Sequence, residues 1–145
     1  MKKNVKLLYD GKIRKVRIAV NKANEILADP EFYNQIRAYT KFNENDLSPD
    51  AVSKLMEESE HRILVNVSFV MPIASAQTMN HDEIRVSYWN FNKALPAGVN
   101  TLVHHTVNAI DIFNAIKNNN RLRKKFPEGN SAPWVIGAIA EIMVK

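Results

Sequence analysis

The chain has no cysteine and only four glycines among its 145 residues. Without cysteine there are no disulfides, no thiolate metal sites and no cysteine nucleophile. So few glycines remove the Gly-rich loops that cradle nucleotide phosphates. No uninterrupted apolar run approaches the roughly 18 residues that a membrane span needs. The apolar stretch of the basic N-terminus, "VKLLY", is too short for the core of a secretory signal. These absences predict a soluble chain with no signal peptide, no transmembrane segment and no membrane partner. A length of 145 residues suits one domain, 1–145, able to bury roughly 68–70% of its unfolded surface without covalent staples.

What is present first is positive charge. The formal net charge is +5. Residues 1–22 carry eight Lys and Arg against one acid, Asp10, and a second cluster, "RLRKKF", follows at 121–126. Such clusters attract polyanions. Nucleic acid is therefore one candidate partner, through Lys12, Arg14, Lys15, Arg17, Arg121, Arg123, Lys124 and Lys125. In the sequence no aromatics interleave with these residues, as base stacking would need, so a solvated charged face stands as the alternative.

Turn signals and periodicity sketch the elements. Asp10-Gly11 between two β-favouring runs predicts a basic hairpin over 1–22, or an arm; the second run can also lead into a helix through "NKANEILAD". "PEFYNQIRAY" restarts as a helix with Phe32, Ile36 and Tyr39 on one side. "SPDAVSKLMEESE" is a further helix with Ser48 as N-cap and an apolar stripe of Val52, Leu55 and Met56. Its acidic run of Asp46, Asp50, Glu57, Glu58 and Glu60 is expected to be a solvated face.

"RILVNVSFVMP" alternates Ile63, Val65, Val67, Phe69 and Met71 on one face and ends at Pro72. "IASAQTMNHDE" has the look of a loop. "IRVSYWN" alternates Ile84, Val86 and Tyr88 against Arg85, Ser87 and Trp89, which suits a sheet edge or a groove wall. A long helix follows at about 99–117, and "SAPWVIGAIAEIMVK", with Ser131 as N-cap, closes the chain as an apolar helix. The expected class is α+β: a small mixed or antiparallel sheet packed against helices.

In the long helix, Val99, Leu102, Thr106, Ala109, Ile110 and Phe113 gather into one stripe at about 100° per residue. His104, Asn108 and Asp111, spaced 4 and then 3, share the opposite side and can converge on one point. His105 lies about 100° from them.

In order and flanks, "ILVNVSFV", "IRVSYWN", "NTLVHHTVNAID" and "SAPWVIG" resemble the zincin metallopeptidase fold, particularly its small bacterial and phage members. The resemblance spans roughly Arg62 to Gly137, about half the chain. It implies that His104 matches the first zinc ligand and Asn108 the second ligand position. Asp111 matches a position that is Asp in some members and a third ligand in others. His105 stands where the family has the glutamate that deprotonates the zinc-bound water, so the His-Glu-x-x-His motif has become "HHTVN". An amide is a weak neutral donor, and a catalytic zinc needs three protein ligands and an open position.

The expectation is thus a catalytically inactive zincin-like domain acting as a binding or structural module, with a vestigial site at His104, Asn108 and Asp111 and no cofactor. By analogy it would be cytoplasmic or belong to a larger assembly such as a phage particle, hence virion. Its partner would be a protein, either an extended peptide or assembly subunits. In the family the matching edge strand pairs with extended peptide, so Tyr88, Trp89, Asn90 and Trp134 are candidate groove residues. An atypical metal-dependent peptidase holding zinc or another divalent ion is the first alternative, and a nucleic-acid-associated basic protein the second.

Overall fold

The structure, a computed structural model, describes residues 3–38, 49–71, 73–118 and 132–144. Within them there are five helices and a four-stranded mixed sheet. The order is β1 (Lys6–Leu8), α1 (Arg14–Leu27), α2 (Pro30–Ala38), α3 (Pro49–Glu58), β2 (Arg62–Ser68), β3 (Ala76–Asn80), β4 (Glu83–Ser87), α4 (Leu95–Asn118) and α5 (Ala132–Met143). Helices α1 and α4 pack against the strands, and α2, α3 and α5 pack mainly on other helices. The expected α+β class and the sheet packed on a long helix are both present. Tyr39, Asp46, Ser48, Pro72, Arg121, Arg123, Lys124, Lys125 and Ser131, each assigned a role above, lie outside the described residues.

The sheet runs β1-β2-β4-β3. β1 and β4 flank β2 in parallel, and β3 pairs antiparallel with β4. Ile63 and Val65 of β2 and Ile84 and Val86 of β4 point into the core, as alternation demands of a sheet covered on one face. The other face carries Leu64, Asn66, Glu83 and Arg85. There Asn66 Nδ2 donates to Glu83 Oε2 at 2.8 Å and Arg85 pairs with the same carboxylate at 3.7 Å.

Three expectations are corrected. Among the described residues up to 22 there is no hairpin, and the helical alternative is the one present: a three-residue strand is followed, after five residues, by the fourteen-residue helix α1. Val16, Ala19, Val20, Ala23, Ile26 and Leu27 are buried at helical spacing, while Ile18, which a strand would have buried with Val16 and Val20, is 40% exposed. Second, the stretch around Gln77 is strand β3 rather than loop, and it occupies the sheet edge. Third, β4 consequently lies inside the sheet between β2 and β3 instead of at its edge. Strand β2 also stops at Ser68, and Phe69 is exposed.

The far edge of the sheet is closed by a side chain. Asn24 of α1 accepts from Leu7 N–H at 2.9 Å and donates to Leu7 C=O at 2.8 Å, so its amide replaces a neighbouring strand for that residue. Beneath, Tyr33 of α2 is buried and donates its hydroxyl proton to Leu27 C=O at 2.6 Å. Burial, reinforced by the nearby Glu57 carboxylate, pushes the Tyr33 phenol well above its usual pKa.

Helix α4 starts earlier than 99, at Leu95. Pro96 falls in the first turn, where its missing N–H costs nothing. Leu102, Val103, Val107, Ala109 and Ile110 are fully or almost fully buried. Each fully buried Leu, Ile or Val contributes about 1.5–3 kcal/mol relative to exposure. No helix among the described residues is long and apolar enough to cross a membrane.

Candidate functional site

The two sides of α4 that carry histidines both meet protein. Helix α5 packs on α4 more extensively than any other pair of elements and runs back along it. Gly137 of α5 lies against Asn100: a Cβ there would collide with Asn100 Oδ1 and come within 3.0 Å of its carbonyl oxygen. One turn further, Asn100 Nδ2 donates to Glu141 Oε1 at 2.8 Å. This close crossing brings Trp134 onto His104, ring centroids 4.7 Å apart at 76°. The His104 side of α4 is therefore covered at this point by α5. His104 and Asn108 are partly buried and Asp111 is fully buried, and none of the three is without an interaction partner.

His105 points the other way, toward the sheet edge. Its Nδ1 lies 2.8 Å from the Thr78 hydroxyl of β3, and the same hydroxyl donates to the His105 carbonyl at 3.3 Å. Thr78 pairs across the strands with Ile84, so its side chain lies on the helix-covered face. Burial, and secondarily the neighbouring His104, lower the His105 pKa to about 4. At neutral pH the ring is an uncharged imidazole clamped to the edge strand. Centroids of His104 and His105 are 5.0 Å apart. A continuous row thus joins α5 to the sheet edge: Trp134, His104, His105, Thr78.

As a zinc donor set the residues fit poorly. His104 is a good ligand, Asn108 offers only a neutral amide oxygen, and the third member, Asp111, lies one turn deeper in the core. Among the described residues no three His, Cys, Asp or Glu side chains group to hold a metal ion. The other two histidines gather elsewhere. His61 stacks on Phe113 at 4.0 Å and 17°, His81 lies 5.5 Å from His61, and His61 Nε2 hydrogen-bonds the His81 carbonyl.

The four groove candidates fall into two sets. Trp134, 57% exposed, belongs to the row above. Tyr88, Trp89 and Asn90 follow β4 and bond to other partners: Trp89 Nε1 donates to Phe69 C=O at 2.9 Å, and Asn90 Nδ2 donates to Met71 C=O at 3.3 Å. Lys15 Nζ donates to the Tyr88 and Phe91 carbonyls at 2.7 and 2.9 Å and stands 5.6 Å from the Tyr88 ring centre. Burial against this corner, with Lys93 nearby, lowers the Lys15 pKa.

Sequence reasoning missed Thr78, because its strand is short and polar, and Asn100 with Gly137, because their meeting is tertiary. The turn at His81-Asp82 before the alternating "EIRVS" was the available hairpin signal. No protein-family model, curated protein or solved structure matches the chain.

Proposed function

We propose that this chain is a catalytically inactive zincin-like domain that acts as a binding module, taking an extended peptide along β3. The observation that carries the reading is the His105–Thr78 clamp. Where the family would hold a glutamate ready to take a proton from water, this chain has a neutral ring spent on fastening α4 to the sheet edge. Asn108 at the second ligand position points the same way, since its amide neither ionises nor binds zinc firmly.

The edge itself supplies a reason for binding. Among the described strands β3 is outermost and pairs only with β4. An outer strand offers backbone N–H and C=O groups to an added strand, and adjoining side chains then give specificity. Trp134 and Met79, exposed on α5 and β3, are suited to that second task. Membership of a larger assembly, such as a phage particle, and hence a virion or cytoplasmic location, belongs to this proposal as an extension from the family resemblance.

The test is selection of displayed random dodecapeptides on the purified chain, followed by NMR titration with the strongest binder. The reading expects backbone amide shifts concentrated in Ala76–Asn80 and peptide recovered intact. Cleavage of the peptide, or shifts that leave β3 untouched, would refute it.

A further inference from the structure

The corner formed by the start of α1 and the end of β4 sets aromatic rings among basic residues that, Lys93 apart, are distant from them in sequence. A groove of about 630 Å³ opens there, lined by Arg14, Lys15, Ile18, Tyr88, Trp89 and Lys93 among others, with no acidic side chain in its lining among the described residues. Arg17 and Lys12 are exposed close by on α1 and just ahead of it. Trp89 is 68% exposed, yet its indole N–H is tied to the Phe69 carbonyl and Tyr88 packs edge-on against it at 4.8 Å and 86°. It is a fixed ring that faces water, and a fixed ring loses little freedom when something stacks on it.

Two simple occupants account for only half of this surface. An apolar partner would cover Trp89 and Ile18 but strand the charges of Arg14 and Lys93 away from water, at heavy cost. A lone phosphate would answer the cations and leave the indole exposed. Both are answered by a polyanion whose charges alternate with planar apolar groups. We infer that this groove binds single-stranded nucleic acid, with phosphates on Arg14, Arg17 and Lys93 and a base stacked on Trp89. Duplex is disfavoured because its bases are already stacked and paired. Lys15 serves a positioning role: its ammonium is held by the Tyr88 and Phe91 carbonyls and keeps the aromatic corner against α1. The net charge of +5 adds long-range attraction.

The experiment is fluorescence anisotropy of a labelled twelve-nucleotide thymidine strand with the full chain. Arms with the matching duplex and with an acidic peptide of equal charge run alongside. Binding in the range of about 1–100 μM is expected at 50 mM salt. With three or four exposed cations engaged, log affinity should fall against log salt with a slope of about −2 to −3. Trp89→Ala should weaken binding roughly 5- to 100-fold, and Arg14→Gln should reduce the slope by about 0.7. In a Trp134→Phe background the remaining indole, Trp89, should be quenched by the strand. Circular dichroism melts confirm that each variant is folded; Lys93→Gln, at an exposed position outside the helices, supplies a further readout of the same slope. Three results would overturn the inference: no binding at 50 mM salt, affinity indifferent to Trp89→Ala, or equal or tighter binding of the duplex or the acidic peptide.

Discussion

Acid should loosen this fold through His105. Its pKa falls from 6.5 in the open chain to about 4 in the folded protein, first through burial and then through His104. Above pH 6.5 the ring is neutral in both states and contributes no pH dependence. Between about pH 6.5 and pH 4 the unfolded chain takes up a proton that the folded chain refuses, so stability drops as pH falls, and the loss levels off below pH 4. A shift of about 2.5 units at 1.36 kcal/mol each sets a limit near 3 kcal/mol; about 2 kcal/mol of it falls between pH 7 and pH 5. His105→Gln removes the titration while leaving a polar group beside Thr78. Urea denaturation of both proteins at pH 7, 6, 5 and 4.5 separates this contribution from carboxylates common to the two. The variant is expected to lose less stability than the parent by about 2 kcal/mol at pH 5. Parallel profiles, within about 0.5 kcal/mol, would refute the claim that the ring is held neutral.

Other expectations follow from particular contacts. Gly137→Ala puts a methyl into Asn100 and should destabilise the chain by about 1–3 kcal/mol, read as a lower thermal midpoint. Because Trp134 is seated by the same crossing, the variant should also change the His104 imidazole NMR signals. Asn24→Ala leaves the Leu7 N–H and C=O without their side-chain partner; a loss of about 1–3 kcal/mol and faster exchange of the Leu7 amide are expected. Tyr33→Phe removes the bond to Leu27 C=O and should cost about 0.5–1.5 kcal/mol in urea unfolding.

The parts of the fold legible in the sequence were those where one periodicity had no rival. Helix α4 carries apolar residues at every helical spacing for more than five turns, and β2 alternates cleanly from Ile63 to Val67. The start of the chain misled because Val16, Ile18 and Val20 satisfy a period of two, while the helical set that wins is completed only by Ala19, Ala23, Ile26 and Leu27 further on. The chain bends at Gly11, but the bend leads from a strand toward a helix. Strand β3 was invisible because an edge strand needs only Ala76 and Thr78 directed inward; its neighbour β4 supplies the rest.

The candidate site was legible as a list of side chains and not as an arrangement. His104, Asn108 and Asp111 do share one side of α4. What covers that side depends on α5, which approaches closely only because Gly137 has no side chain. His105 was correctly set apart from them by helical geometry, but its partner Thr78 is 27 residues upstream. Apart from Lys93, the basic groups of the α1–β4 corner lie more than seventy residues from its aromatics in sequence. Counting aromatics next to lysines could not have joined them.

Zinc content decides most directly whether the chain is a binding scaffold or an enzyme. Plasma mass spectrometry on protein purified without chelator, in parallel with His104→Ala, is predicted to find well under one equivalent of zinc, unchanged by the substitution. One equivalent that disappears with His104→Ala would contradict the account.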